Sequence, residues 1–129
     1  MNDLSDLQQI FGECRPDVFG PEPTMKEINE WYNSNWAQET LVAEYQGKVI
    51  GCMEYTKLGL IGIPDVLKDF RRQKIGSTLF YSLLTRMRKS GLTKALADTG
   101  YPLKEAISMY KKFNFDLSRE LGVWFKELT

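Results

Sequence analysis

Asp65-Val66-Leu67-Lys68-Asp69-Phe70-Arg71-Arg72-Gln73-Lys74-Ile75-Gly76-Ser77 is the stretch on which the fold turns. Upstream lies a short apolar run, Leu58 to Ile63, broken by Gly59 and Gly62. Such a run reads as a central strand that something approaches closely. Pro64 then removes a ladder donor, so the strand must bulge, splay or lie on an edge there. Downstream, Ile75, Leu79, Leu83, Leu84 and Met87 fall on one helical face and Gly91 stops the pattern, which predicts a helix over 75–89. The first N–H groups of that helix have no partners within it and face the basic turn. Together with the helix dipole they suit an anion such as a phosphate or pyrophosphate. Arg71, Arg72 and Lys74 add positive charge, Gly76 lets backbone come close, and Ser77 offers a hydroxyl. The stretch has no G-x-x-x-x-G-K-[ST] and no G-x-G-x-x-G, which sets aside a P-loop and disfavours dinucleotide binding. An ordinary helix start with exposed bases is the plainer reading of the same residues.

On the N-terminal side, Leu4, Leu7, Ile10 and Phe11 predict a helix over about 3–14. Pro16, Gly20, Pro21 and Pro23 predict a loop over 15–23. Thr24 and Glu27 form a capping box for a second helix with Ile28, Trp31 and Tyr32 as its buried stripe, ended by Asn33-Ser34-Asn35. Leu41–Tyr45 and Lys48–Tyr55 read as strands joined by a tight turn at Gln46-Gly47. On the C-terminal side come a strand over 94–98, a helix carrying Leu103, Ala106, Ile107, Tyr110 and Phe113, and strands over 115–117 and 121–128. The expected architecture is an α/β mixed sheet with helices packed on it, as one domain spanning 1–129.

Composition narrows the chemistry. The 129 residues are 43% hydrophobic and 26% charged, the profile of an ordinary globular protein. There is no histidine, which removes Ser-His-Asp and Cys-His catalysis and every His-ligated metal. Cys14 and Cys52 are the only cysteines, far apart and without a CxxC, so neither a disulfide framework nor a four-cysteine zinc site is expected and no metal is assigned. Two free thiols suit a reducing compartment. No apolar run spans a membrane, and the polar, acidic segment Met1–Gln9 is not a signal peptide, so a cytoplasmic protein is the default expectation. Seventeen bases balance seventeen acids, which argues against nucleic acid as a partner of the whole chain. The balance is uneven along the chain. Residues 1–46 hold nine acids against Arg15 and Lys26, whereas residues 66–90 hold seven bases against Asp69. One half attracts cations and the other anions, unless the two merely pair with each other.

With these features in place, the chain resembles the GNAT superfamily of acyl-CoA N-acyltransferases. Arg71-x-x-Lys74-x-Gly76 is similar to that family's [QR]-x-x-G-x-[GA] loop, which cradles the coenzyme A pyrophosphate. Val66 matches the strand position whose backbone pairs with the pantetheine arm. Ala106–Phe115 resembles the family's A-x-x-[LF]-Y-x-K-x-G-F, and Leu41–Gly51 the hairpin that usually precedes these motifs. The resemblance covers about residues 40–128 and implies the GNAT fold, a central mostly antiparallel sheet with helices on both faces. It implies acetyl-CoA or coenzyme A as co-substrate, with Val66, Arg71, Arg72, Gln73, Lys74, Ile75, Gly76, Ser77 and Leu103 at the cofactor. There are departures. Lys74 stands for the loop's first glycine, Leu103 for a frequent asparagine, and Asn114 for the last glycine. The family's first strand is missing, because the chain starts at a helix, and the open edge this leaves gives a motive for a homodimer.

Acetyl transfer from a thioester to an amine needs a proton acceptor for the ammonium, a donor for the oxyanion and an acid for the leaving thiolate. By resemblance, Tyr110 is the acid and a backbone N–H near Val66 the oxyanion donor; spacing alone would make Tyr110 a core aromatic. A phenol ordinarily holds its proton at pH 7, with a pKa of ~10. For the base, Asp65, Glu54 and Asp98 are candidates beside a backbone-guided water. Trp31, Tyr32 and Trp36 are candidates for an acceptor pocket, although core packing explains each alone. The resulting expectation is an acetyl-CoA-dependent N-acetyltransferase acting on a small-molecule or peptide amine. A non-catalytic acyl-CoA-binding module and, less favoured, a nucleic-acid or partner-binding domain are the alternatives.

Overall fold

Gln46 and Gly47 both take positive φ, 51° and 78°, which is the twist a two-residue hairpin requires. The computed structural model describes residues 3–33, 37–98, 104–117 and 123–128. The turn joins β1 (Ala37–Tyr45) to β2 (Lys48–Thr56), with Tyr45 opposite Lys48. β1 starts four residues before the predicted strand, because its pairing runs to the far end of β2, Ala37 opposite Thr56. Three helices come first: α1 (Asp3–Cys14), α2 (Pro16–Phe19) and α3 (Met25–Tyr32). α2 occupies part of the predicted loop, since a proline at the first helical position is already set for helix. Thr24 caps α3 by accepting from the Glu27 N–H at 3.2 Å, as the capping box predicts. Tyr32, placed by periodicity on the buried stripe, is 46% exposed; α3 buries only Ile28 fully.

The predicted strand over 58–63 is shorter and broken. Only Leu60–Ile61 (β3) and Asp65–Val66 (β4) are strand, and Leu58 is exposed in the preceding turn. Both pieces pair antiparallel with β2, yet not in one register. Gly62 N–H donates to Glu54 O, and further on Asp65 faces Cys52. From the first contact to the second, β2 advances from Glu54 to Cys52 while the facing strand runs from Gly62 to Asp65, one residue more. That extra residue is a bulge, and Pro64 lies in it. The two glycines are there because other groups come close. A Cβ on Gly59 would stand 2.4 Å from the Lys94 carbonyl oxygen, and one on Gly62 would stand 2.6 Å from a Glu54 carboxylate oxygen.

A single 3-10 turn, Lys68–Phe70, leads into α4 (Ile75–Lys89), at its predicted bounds. Then come β5 (Lys94–Asp98), α5 (Lys104–Lys112), β6 (Asp116–Leu117) and β7 (Val123–Glu127). β6 begins one residue later than predicted and β7 ends one residue earlier, while residues 121 and 122 of the predicted strand lie outside the described residues. Among the described residues the strands form one sheet in the order β1-β2-β3-β5-β7-β6, with β4 continuing alongside β2. Only β3 and β5 run parallel. Both faces are covered, which is why β2 is buried over all but its first residue. Met53 and Tyr55 pack with Leu79, Phe80, Leu83 and Met87 of α4. Cys52, Val49 and Ile50 pack with Leu7, Ile10 and Phe11 of α1 and Ile28 of α3. No strand precedes α1 among the described residues, so β1 is an open edge of the sheet.

Candidate active site

The bulge positions the site. β5 pairs with β3 at Leu60 and Ile61 and does not pair with β4. The sheet therefore splits between β4 and β5. Leu67 N–H donates to Ile50 O at 2.9 Å, making Leu67 and Ile50 a hydrogen-bonded pair. By antiparallel alternation the next pair, Val66 and Gly51, is not one, so the Val66 N–H and C=O point away from β2 into the split. A cleft of about 1140 Å³ opens there, walled by α1, α2, β4, the basic turn, the start of α4 and α5. Of the residues singled out in sequence, Asp65, Val66, Arg71, Arg72, Lys74, Ile75, Gly76, Ser77 and Tyr110 line it. Glu54 and Gln73 do not. Leu103 and Trp36 lie outside the described residues, as does the side chain of Asp98.

Positive charge and free helix-start backbone gather at the basic turn. Arg72 and Lys74 hold left-handed φ of 63° and 65°, which curls successive N–H groups toward one side. Lys74 is the N-cap of α4, and no side chain caps the helix start and no acid stands in its first turn. Arg71, Arg72 and Lys74 form no ion pair with the described residues, whereas Arg86 at the far end of α4 pairs with Glu39 at 2.8 Å. The opposed charges of the sequence thus cancel at one end of α4 and stay open at the other. A Cβ on Gly76 would meet Pro64 at 3.5 Å, ordinary contact, so packing in the protein itself does not demand this glycine. A lysine in the left-handed region costs ~1–2 kcal/mol. Lys74→Gly is expected to stabilise the fold by about 1 kcal/mol, a rise of about 3–5 °C in Tm by thermal denaturation.

Opposite the turn stands Arg15, in the segment 15–23 for which the prolines and glycine predict a loop. It follows α1 and is the N-cap of α2. Its Nη2 donates to both oxygens of Glu54 at 2.9 Å, and its Nε and Nη2 reach Asp65 Oδ2. The guanidinium lies over the Phe11 ring, 4.5 Å from its centroid, and 5.8 Å from that of Trp31. Trp31 stands edge-on to Phe11 at 4.8 Å, so it backs Arg15; neither it nor Tyr32 lines the cleft as an acceptor wall. Asp65 is 2% exposed. Burial pushes its carboxyl up to about 6, against the pull of Arg15. Burial would lower the Arg15 pKa, but the charges of Glu54 and Asp65 outweigh it and raise it. Glu13 and Asp17 add acid to the same wall. One clue to Arg15 was present in the sequence. It is one of two bases among the first 46 residues, next to the apolar face of α1.

Cys14 and Arg71 meet at Val66. Arg71 Nε donates to Val66 O at 2.9 Å, and the Cys14 thiol lies 3.4 Å from the same oxygen. Burial and the Asp65 charge raise the Cys14 pKa, which keeps it a thiol and a donor. Tyr110 sits in the last turn of α5, 1% exposed, against Phe115 at 5.6 Å and Phe80 at 6.3 Å. Lys112 donates to Ser77 Oγ at 2.9 Å, tying α5 to the start of α4.

Known proteins carry the same arrangement of chain. An N-alpha-acetyltransferase 30 from Dictyostelium discoideum is 29% identical over 124 residues, covering 91% of this chain. The chain spans 66% of that relative's length. The ribosomal-protein-S18-alanine N-acetyltransferase of Escherichia coli superposes with a TM-score of 0.77 at 14% identity, covering 100% of this chain and 90% of that one. A GNAT family acetyltransferase from Brucella melitensis, in complex with acetyl-CoA, superposes with a TM-score of 0.70 at 19% identity, covering 98% of this chain and 82% of that one. The sequence profile of the acetyltransferase (GNAT) family matches residues 4–115. That match takes in α1, the bulged strand, the basic turn and Tyr110 together, and the chain belongs to the GNAT acetyltransferase family.

Proposed function

We propose that the protein transfers an acetyl group from acetyl-CoA directly to an amine within a ternary complex. One observation carries the reading: the outward backbone of Val66, the open basic turn, Tyr110 and Asp65 all line one cleft. The N–H groups of the turn and of the first turn of α4, with Arg71, Arg72 and Lys74, hold the pyrophosphate. Val66 C=O and N–H take the pantetheine arm, once Arg71 has turned from that carbonyl to the phosphates. Asp65 accepts a proton from the incoming ammonium. The amine nitrogen then bonds to the thioester carbon, and a backbone N–H at the split receives the oxyanion. As the carbon–sulfur bond breaks, Tyr110 gives its proton to the thiolate, and the extra proton left on the new amide nitrogen passes to the Tyr110 phenolate, directly or through water. Glu54 serves by its charge beside Asp65, since it does not line the cleft.

The acceptor we infer is the α-amine of a peptide. One relative above is named an N-alpha-acetyltransferase, and one structural neighbour an alanine N-acetyltransferase of a ribosomal protein. Proton affinity points the same way. An α-amine has a pKa of ~8, so passing its proton to a carboxyl at about 6 costs about 2.5 kcal/mol, against about 6 kcal/mol for a lysine amine at ~10.4. The acids Glu13 and Asp17 attract the ammonium on its way in. A homodimer paired along the open β1 edge, where Val42 and Tyr45 are exposed, and a cytoplasmic setting suited to two free thiols complete the proposal.

Calorimetric titration of acetyl-CoA and of coenzyme A tests the cofactor half. Tight binding is expected, weakened about 10–100-fold in Arg71→Ala, because a hydrogen bond to a charged group is worth ~1.5–3 kcal/mol. Release of thiol from acetyl-CoA, with peptides free or blocked at the N-terminus, tests the acceptor. Binding without release from any amine would leave an acyl-CoA-binding module, and absence of binding would sink both readings.

A further inference from the structure

The Arg15 cluster contains more than an ion pair. One guanidinium faces two carboxylates, so the group carries a net charge of one negative in a buried place. The fold makes specific room for it. Gly62, in the interrupted strand, has no side chain, and any Cβ there would stand 2.6 Å from Glu54 Oε1 and 3.0 Å from its carboxyl carbon. Arg15 in turn is fixed by its backbone, its N–H on Phe11 O at 2.8 Å and its carbonyl accepting from Val18 and Phe19. Its guanidinium carbon lies over the Phe11 ring. Nη2 thus meets both Glu54 and Asp65, the aromatic ring lies against the guanidinium, and Nε adds a second hold on Asp65. Of the three side chains, only that of Asp65 reaches the cleft beside Val66.

We propose that Arg15 is a positioning residue for the transfer, which, braced by Glu54, holds the Asp65 carboxylate at the point where the acceptor ammonium must give up its proton. The inference rests on the transfer reading above. The groups facing Asp65 are Arg15 from the helix junction, Glu54 from β2, Cys52 across the ladder, Cys14 at the end of α1 and Arg71 from the basic turn. Of these, Arg15 acts most strongly in favour of the charged carboxylate, and Glu54 opposes it.

The test pairs Arg15→Met with Glu54→Gln. The double variant keeps one negative charge in the pocket and removes only the brace. It is measured beside Arg15→Lys for kcat and KM against pH, and for the pH dependence of the Asp65 carboxyl carbon shift by NMR. The expected result is a drop of at least tenfold in kcat, with the acetyl-CoA dissociation constant within twofold of the parent. The Asp65 midpoint and the acidic limb of kcat should both move upward, and Arg15→Lys should recover part of each. Parent values of kcat and of both midpoints in the double variant overturn the proposal, leaving Arg15 a structural cation. Should the double variant not fold, Arg15→Lys decides by the same two readouts, since lysine lacks the Nε–H that the guanidinium donates to Asp65 beside its Nη2 contacts; parent values there overturn it. If the parent protein acetylates no amine, the transfer reading falls by itself. The NMR midpoint then still judges the hold of Arg15 on Asp65, and an unmoved midpoint refutes it.

Discussion

Replacing Tyr110 by phenylalanine is expected to lower kcat about 10²–10³-fold, with little change in the dissociation constant of acetyl-CoA. The ring is 1% exposed, packed against Phe80 and Phe115, so phenylalanine fills the same space and the fold stays intact. What is lost is the hydroxyl of a ring that lines the cleft. Without it the thiolate leaves unprotonated or draws on water. Because the loss falls on the breaking of the carbon–sulfur bond, kcat and kcat/KM should fall together. Steady-state kinetics and calorimetry on the same sample check it. A variant that turns over normally would remove Tyr110 from the reaction and return it to the core.

The second large effect belongs to Asp65→Asn, and its sign differs between activity and stability. Turnover should fall about 10²–10³-fold, because asparagine takes no proton. In the parent, activity should rise with pH through about 6 as the carboxyl ionises. Stability runs the other way. The Asp65 pKa is raised in the folded protein, from 3.8 to about 6, so its favourable contribution is complete below pH ~3.8 and is lost as pH rises through 6. At ~1.36 kcal/mol per pH unit, that loss is about 3 kcal/mol. Asp65→Asn should flatten this part of the stability profile between pH 4 and 7. Denaturant unfolding across that range would show it, and a variant that keeps both the activity and the slope contradicts the assignment.

The parts of this protein that could be read in sequence are those set by neighbours in the chain. The α4 boundaries follow from a five-residue apolar face and a terminal glycine. The hairpin follows from Gln46-Gly47, and the break in the central strand from Pro64 with its two glycines. The anion turn was readable for the same reason, as its charges and its helix start are adjacent. What stayed hidden depends on contacts distant in sequence. Tyr32 shares the periodicity of Ile28 but is the last residue of α3 and stays exposed, and periodicity does not measure how far a neighbouring layer extends. Arg15 looked like a loop residue because its partners lie on β2 and β4. Glu54 and Asp65 were readable as acids of interest, but not as acids held by one cation.

That last contact spans 39 residues to Glu54 and 50 to Asp65. Such closures come late in folding, because a chain gives up the entropy of a long loop before the contact repays it. The basic turn and α4 can form from local sequence; the proton acceptor cannot. On the transfer reading proposed above, a nascent or partly unfolded chain would display the basic turn with no working carboxylate across from it. Catalytic competence is then a report on completion: it arises in the same step that docks the N-terminal helices onto the sheet.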